Sequence, residues 1–171
     1  MLPPDLGSHI SMAVEVERKF LVVHDGWKSS VLRSARIRDG LIAIQDGRKA
    51  RVRILGDSAT IAIKGSHKGP SRPEFEYPVP MADAEEMLRF LCDDRILEKV
   101  RHYVSSGALT WEIDVYSGIL LGIIIAEVEL DREGAPVELP DWVGTEVTGD
   151  IRYSKLHMFL ERSGGPSVGK P

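Results

Sequence analysis

Residues 14–20 read Val14-Glu15-Val16-Glu17-Arg18-Lys19-Phe20. In an extended chain this puts Val14, Val16 and Phe20 on one side and Glu15, Glu17 and Lys19 on the other. The same period of two returns at Arg51-Val52-Arg53-Ile54, Thr60 to Lys64, Arg72-Pro73-Glu74-Phe75-Glu76-Tyr77, Lys99 to Tyr103, Thr110 to Val115 and Ile125 to Leu130, and more weakly around Ile42 to Ile44. Turn signals separate these runs: Asp46-Gly47, Gly56-Asp57, Gly65 to Gly69, Ser106-Gly107 and Ser117-Gly118. The pattern predicts about eight mostly antiparallel strands.

Two helices are predicted among them. Asp83 with Glu86 reads as a capping box, followed by an apolar stripe of Ala84, Met87, Leu88 and Leu91. Ser154 is placed to cap a second helix with Leu156, Phe159 and Leu160 on its apolar face, ending before Gly164-Gly165. Trp27 to Leu32 suggests a short helical turn. One domain is expected over residues 13–162, with a flexible segment over 1–12, where Gly7-Ser8-His9 resembles vector-encoded sequence, and a disordered tail over 163–171.

The polar side of the strands is unusual. Besides Glu15, Glu17 and Lys19 it carries Arg51, Arg53, Lys64, Arg72, Glu74, Glu76, Lys99, Arg101, Glu112, Asp114, Glu127 and Glu129, in all seven cations and eight acids. A solvated sheet face mixes Thr, Ser, Gln and Lys, whereas nearly every position here is ionisable. The sharper reading is a sheet curled into a barrel with its charged face inward and its apolar face covered by helices and a second copy of the chain. Inward charge is costly unless opposite charges pair or a charged ligand and a metal fill the space. Arg suits phosphate because its planar fork donates two parallel hydrogen bonds, and Glu pairs two residues apart supply hard oxygen donors for Mg²⁺ or Mn²⁺.

Composition narrows the partners. With 22 Lys and Arg against 26 Asp and Glu the net charge is −4, which argues against a dedicated nucleic-acid or anionic-membrane binder. The single cysteine, Cys92, permits neither an intramolecular disulfide nor a Cys-based zinc site and fits a reducing cytoplasm. The longest apolar run, Ile119 to Ala126, is far shorter than the ~20 residues that span a bilayer. Gly164-Gly165-Pro166-Ser167-Val168-Gly169-Lys170 imitates a phosphate-binding loop, but Pro171 stands where Ser or Thr is required.

Glu15-Val16-Glu17-Arg18-Lys19 resembles the E-x-E-x-K signature of the CYTH family, the triphosphate tunnel metalloenzymes. The later elements follow in the family's order: Arg51-x-Arg53, Lys64, Arg72-x-Glu74-x-Glu76, Lys99-x-Arg101, Asp114, Glu127-x-Glu129 and Glu146-Val147-Thr148-Gly149-Asp150-x-Arg152-Tyr153. The set looks most like the short bacterial members that hydrolyse inorganic triphosphate.

The resemblance implies a mainly β fold, an eight-stranded antiparallel closed barrel with a charged interior and flanking helices. By position Glu15, Glu17, Asp114, Glu127 and Glu129 would hold one or two Mg²⁺ or Mn²⁺ ions, and Arg51, Arg53, Lys64, Arg72, Lys99 and Arg101 would grip phosphate oxygens. Lys19 would lie beside the attacking water, making Lys19, Glu15 and Glu17 the catalytic group, with Glu74, Glu76 and Glu112 supporting. The expected reaction is metal-dependent hydrolysis of inorganic triphosphate to pyrophosphate and phosphate in a cytoplasmic homodimer. A class IV-like adenylate cyclase, a nucleoside or thiamine triphosphatase, and a non-catalytic polyphosphate-binding module remain as alternatives. Two positions depart from the family pattern. Arg38 is an uncertain member of the tunnel, and Lys155 replaces a frequent Asn and reads as a surface residue.

Overall fold

The computed structural model describes residues 16–66, 73–132 and 134–164. In chain order its strands are β1 (Val16–Val22), β2 (Val31–Gln45), β3 (Arg48–Leu55), β4 (Ser58–Lys64), β5 (Glu74–Pro78), β6 (Ile96–Ser106), β7 (Leu109–Tyr116), β8 (Ile124–Leu130) and β9 (Val143–Glu146). Helix α1 (Met81–Leu91) follows β5, and α2 (Lys155–Ser163) closes the described chain. The strands form one sheet in the order β5-β4-β3-β2-β6-β7-β8-β1-β9, all neighbours antiparallel. No β5–β9 ladder joins the two ends among the described residues, although the charged face curls far enough to bring side chains of β2, β8 and α2 together.

The expected fold, a mainly antiparallel sheet with few helices, is the one found, with nine strands rather than eight. The weak signal around Ile42 to Ile44 is the end of β2, fifteen residues long. The extra strand, β9, has four residues and pairs with the outer edge of β1.

Register separates the two faces. Cross-strand partners Lys19 and Glu127, Glu127 and Glu112, Asp114 and Arg101, and Asp39 and Arg53 share the concave side. On the convex side Phe20, Val104, Trp111, Ile113, Ala126 and Val128 pack under Trp27 and Trp142. Trp27 lies in the 3-10 turn Asp25–Ser30, where a helical turn is expected. Helix α1 covers a second patch, its Ala84 and Leu88 packing with Val52, Ile54, Ala59 and Cys92. The helix sits so close that a Cβ on Gly40 would fall 2.5 Å from Cys92 Sγ and 2.6 Å from Leu88 Cδ2, which explains a glycine in mid-strand. Its N-cap is Pro80, with no side-chain cap bond, so Asp83 and Glu86 do not form the expected capping box.

The third core cluster lies at one end of the concave side. Leu97, Tyr116 and Ile125 are each two residues from Lys99, Asp114 and Glu127 on their strands, and they bury Met158 of α2. Ser154 caps this helix as expected, accepting from His157 N–H, and Gly164 ends it at φ +67°. Its most buried residue is Met158, whereas Leu156, Phe159 and Leu160 were the expected apolar face. Seating α2 on Leu97, Tyr116 and Ile125 stops one end of the charged groove with apolar contacts.

Candidate active site

The charged residues of β1, β6, β7 and β8 form one connected network. Lys19 Nζ lies 2.6 Å from both Glu127 Oε1 and Glu17 Oε1, and these acids hold its pKa above the ordinary lysine value against burial. Asp114 is fully buried, accepting from Arg101 Nε and Nη2 at 2.7 and 2.8 Å and from Lys99 Nζ. Arg101 donates further to Glu112 and, at 3.0 Å, to Glu127 Oε2. Burial alone would push the Glu127 carboxyl up, but Lys155, Lys19 and Lys99 bring it well below the ordinary range. Glu112 goes the other way, raised by burial and by the nearby Glu127 and Asp114 despite Arg101.

On the opposite wall Asp39, 4% exposed, meets Arg53 Nη2 at 3.0 Å and Arg51 Nε at 3.1 Å. The Arg51 N–H is close enough for an ion pair but not aligned to donate, so Arg51 Nε and Asp39 Oδ1 lack a hydrogen bond, as does Arg53 Nε. Lys155 of α2 reaches the same carboxylate, Nζ to Oδ2 3.7 Å. Its side chain is about a quarter exposed and its ammonium is pulled far below the ordinary lysine value, first by burial and then by Lys99. The surface position expected for Lys155 is therefore corrected: the turn Ile151–Tyr153 and the Ser154 cap swing α2 across the groove. Arg38 is settled by register, since it lies on the convex side, donates to both oxygens of Glu85 of α1 and faces Glu98 at 3.8 Å.

Lys64 pairs with Glu74 at 2.5 Å, and Glu76, two residues on along β5, acts electrostatically on Arg51 and Arg53. Glu129 pairs in register with Glu17. Glu15 and Arg72 fall outside the described residues. Two contributors were not anticipated. Asp39 is hidden in the sequence between Arg38 and Gly40, outside the cleanly alternating runs, yet in β2 it shares the concave face with Ile37 two residues before it and alternates with Arg38 and Gly40. The other is the role of the segment after β9, which the sequence offered only as part of the family pattern: Thr148 Oγ1 accepts from the Lys19 N–H at 3.0 Å, and Val147 N–H donates to the Lys19 carbonyl at 2.8 Å. Thr148 also donates to Glu146, which binds Arg18 through two hydrogen bonds. Both backbone polar groups of Lys19 are thereby fixed.

Between the open ends of β6, β7 and β8 a cavity of about 170 Å³ is lined by Tyr103, Thr110, Glu112, Glu127 and Glu129. Its donors are hard carboxylate oxygens, the set that suits Mg²⁺ or Mn²⁺. Among the described residues no three acidic, histidine or cysteine side chains already converge in ligating geometry. Asp114 is fully engaged by Lys99 and Arg101, and Glu127 by Lys19 and Arg101. The fit to a divalent cation lies in the chemistry of Glu17, Glu112, Glu127 and Glu129, whose mutual repulsion a cation relieves. Along the groove acids dominate near this cavity and cations dominate around Asp39.

Comparison with known proteins gives the same picture. The CYTH domain pattern matches residues 13–158. An inorganic triphosphatase of Acetivibrio thermocellus is 40% identical over 142 residues, covering 83% of this chain and 90% of that protein. An inorganic triphosphatase of Nitrosomonas europaea is 34% identical over 153 residues, covering 85% and 97%. The crystal structure of the inorganic triphosphatase NE1496 superposes with a TM-score of 0.64 at 28% identity, covering 90% of this chain and 97% of that one.

Proposed function

The chain belongs to the CYTH family, and on that premise we propose that it hydrolyses inorganic triphosphate to pyrophosphate and phosphate with the aid of a divalent cation, Mg²⁺ or Mn²⁺. The observation that carries this reading is the division of one groove into a cation-rich wall at Asp39 and an acid-rich wall at Glu112, Glu127 and Glu129. A polyanion is attracted to the first, and acids beside a polyanion are tolerable only with a metal among them. A site built for binding alone would need the cations and be weakened by the acids.

In this mechanism Arg51 and Arg53 turn their buried N–H groups to phosphate oxygens, Lys64 extends the grip along β4, and Arg72, outside the described residues, is given the same role by the family pattern. Lys99 and Arg101 are the inner cations. Four bonds from Arg101 to Asp114, Glu112 and Glu127 keep its guanidinium rigid, so its charge meets the substrate without reorganisation. Glu17, Glu127, Glu129 and, on the family pattern, Glu15 would hold the cation, while Asp114, expected as a fifth ligand, is instead given the role of anchoring Lys99 and Arg101 beside them. When bound, that ion neutralises the terminal phosphate and acidifies a water. Lys19, fixed at its backbone by Val147 and Thr148, orients the water and offsets the charge that develops as the water oxygen bonds to phosphorus. The bridging P–O bond breaks, pyrophosphate leaves, and one water proton passes to solvent. A homodimer of cytoplasmic location belongs to the same proposal, supported by the exposed apolar side chains Ile63, Phe75 and Tyr77 on the convex side of β4 and β5. Among the described residues no helix is long and apolar enough to cross a membrane.

The test is a substrate panel of triphosphate, ATP, thiamine triphosphate and long-chain polyphosphate, each with Mg²⁺ or Mn²⁺. Fastest turnover of inorganic triphosphate is expected. Cyclic AMP from ATP as the main product, or binding without turnover of any of the four, overturns the proposal.

A further inference from the structure

Three cations converge on one buried carboxylate at the α2 end of the groove. Asp39 faces Arg53 Nη2 at 3.0 Å, Arg51 Nε at 3.1 Å and Lys155 Nζ at 3.7 Å. One acid against three cations leaves two positive charges in excess. Lys99, itself paired with Asp114, also acts on this cluster, and Glu74, Glu76 and Glu127 act on its cations electrostatically, with no direct ion pair to them among the described residues. Surplus positive charge in a partly desolvated pocket is unfavourable unless an anion joins it. The Arg51 and Arg53 Nε atoms are buried without an acceptor, and native structures rarely leave such donors idle unless a ligand meets them.

Lys155 is not there by accident of a long side chain. Met158, three residues along α2 and on the same helix face, is buried among Leu97, Tyr116, Leu120 and Ile125. The Ser154 cap fixes where the helix begins. With two arginines already on Asp39, a lysine held by so much packing is not needed to neutralise that carboxylate.

We propose that Lys155 is a substrate-binding residue, forming with Arg51 and Arg53 around Asp39 a subsite for the end phosphate of the polyanion opposite the acid-rich cavity. This rests on the triphosphate reading above and deepens it. Asp39 serves as the template that spaces the three cations, and the phosphate oxygens replace it as their main partner. Because the lysine comes from α2 while the arginines come from β3, the bound anion ties the C-terminal helix to the sheet.

The experiment compares wild type, Lys155→Gln, Lys155→Arg and, as a control on the convex surface, Lys28→Gln. Steady-state kinetics with inorganic triphosphate are read beside the thermal midpoint with and without triphosphate. Losing one charge-assisted contact should raise KM about 10- to 100-fold with kcat little changed. Lys155→Arg should recover most of that loss, and Lys28→Gln should behave as wild type. The unliganded midpoint of Lys155→Gln should equal or exceed that of wild type, since one of three mutually repelling cations is gone, while its rise with triphosphate should shrink. An unchanged KM, or a lowered unliganded midpoint with a KM that arginine does not rescue, overturns the assignment. Should wild type gain thermal stability from triphosphate yet release no phosphate, and Lys155→Gln lose that gain, the subsite stands and the hydrolytic reading falls.

Discussion

Lys19 sits between Glu17 and Glu127 at 2.6 Å from each, with its backbone N–H and carbonyl both bound by the segment that follows β9. A flexible side chain is thus aimed by a rigid main chain, which is what a residue acting on a transition state requires. Lys19→Ala should lower kcat for triphosphate about 10²- to 10³-fold, the range seen for removing one electrostatic stabiliser, with the thermal midpoint close to wild type. A wild-type rate under saturating metal removes Lys19 from the chemistry. Asp114 has the opposite profile. It is fully buried beneath Lys99 and Arg101, so Asp114→Leu strands the buried Lys99, removes two of the four bonds that hold Arg101, and should cost about 3–5 kcal/mol in urea unfolding. A loss under ~1 kcal/mol would show that water or neighbouring acids compensate the pair.

At the scale of elements, the edge strand β9 and the turn after it clamp β1. Glu146 accepts two hydrogen bonds from Arg18 and one from Thr148, which hold its carboxyl at about 2, below its ordinary 4.5. A depressed folded-state value means the contribution is fully present above the unfolded value and is lost as pH falls from about 4.5 toward about 2. Glu146→Gln should therefore lower the thermal midpoint at neutral pH, by a few degrees at most because the pair is exposed, and the gap to wild type should close on acidification through that window. A gap independent of pH would mean that shape rather than charge holds the clamp. Strand β9 was not legible in the sequence for a physical reason. It is four residues long and contains Gly144, where a Cβ would come within 2.5 Å of Val23 Cγ1, so close packing chose a residue that carries no strand signal. Much of β2 escaped likewise, because Arg33, Ser34, Arg36 and Arg38 make its exposed outer stretch polar on both sides. The other strands alternate because one face is charged and the other packs a core, and there the sequence pattern and the ladder coincide.

For the whole molecule, a net charge of −4 conceals a groove with its signs sorted by position. Residues of the charged face were legible because each lies at an alternate position of a strand with a strong period, as Glu17, Lys19, Arg51, Arg53, Glu112, Asp114, Glu127 and Glu129 do. What alternation does not encode is how far the sheet curls or where a helix lands, so neither the meeting of Lys155 with Asp39 nor the engagement of Asp114 by two cations was readable from the chain. The first depends on α2 packing on Leu97, Tyr116 and Ile125, and the second on the β6–β7 register that sets Arg101 opposite Asp114.

The central claim is that this sorted groove cleaves a triphosphate only when a divalent cation occupies its acidic side. The most direct measurement is a phosphorus NMR time course of inorganic triphosphate with the wild-type protein, with Mg²⁺ or Mn²⁺ supplied and then removed by excess chelator. The account predicts that the triphosphate signals give way to pyrophosphate and orthophosphate in equal amounts, and that chelation stops the conversion. Triphosphate signals unchanged with metal present, or conversion continuing undiminished after chelation, would contradict it.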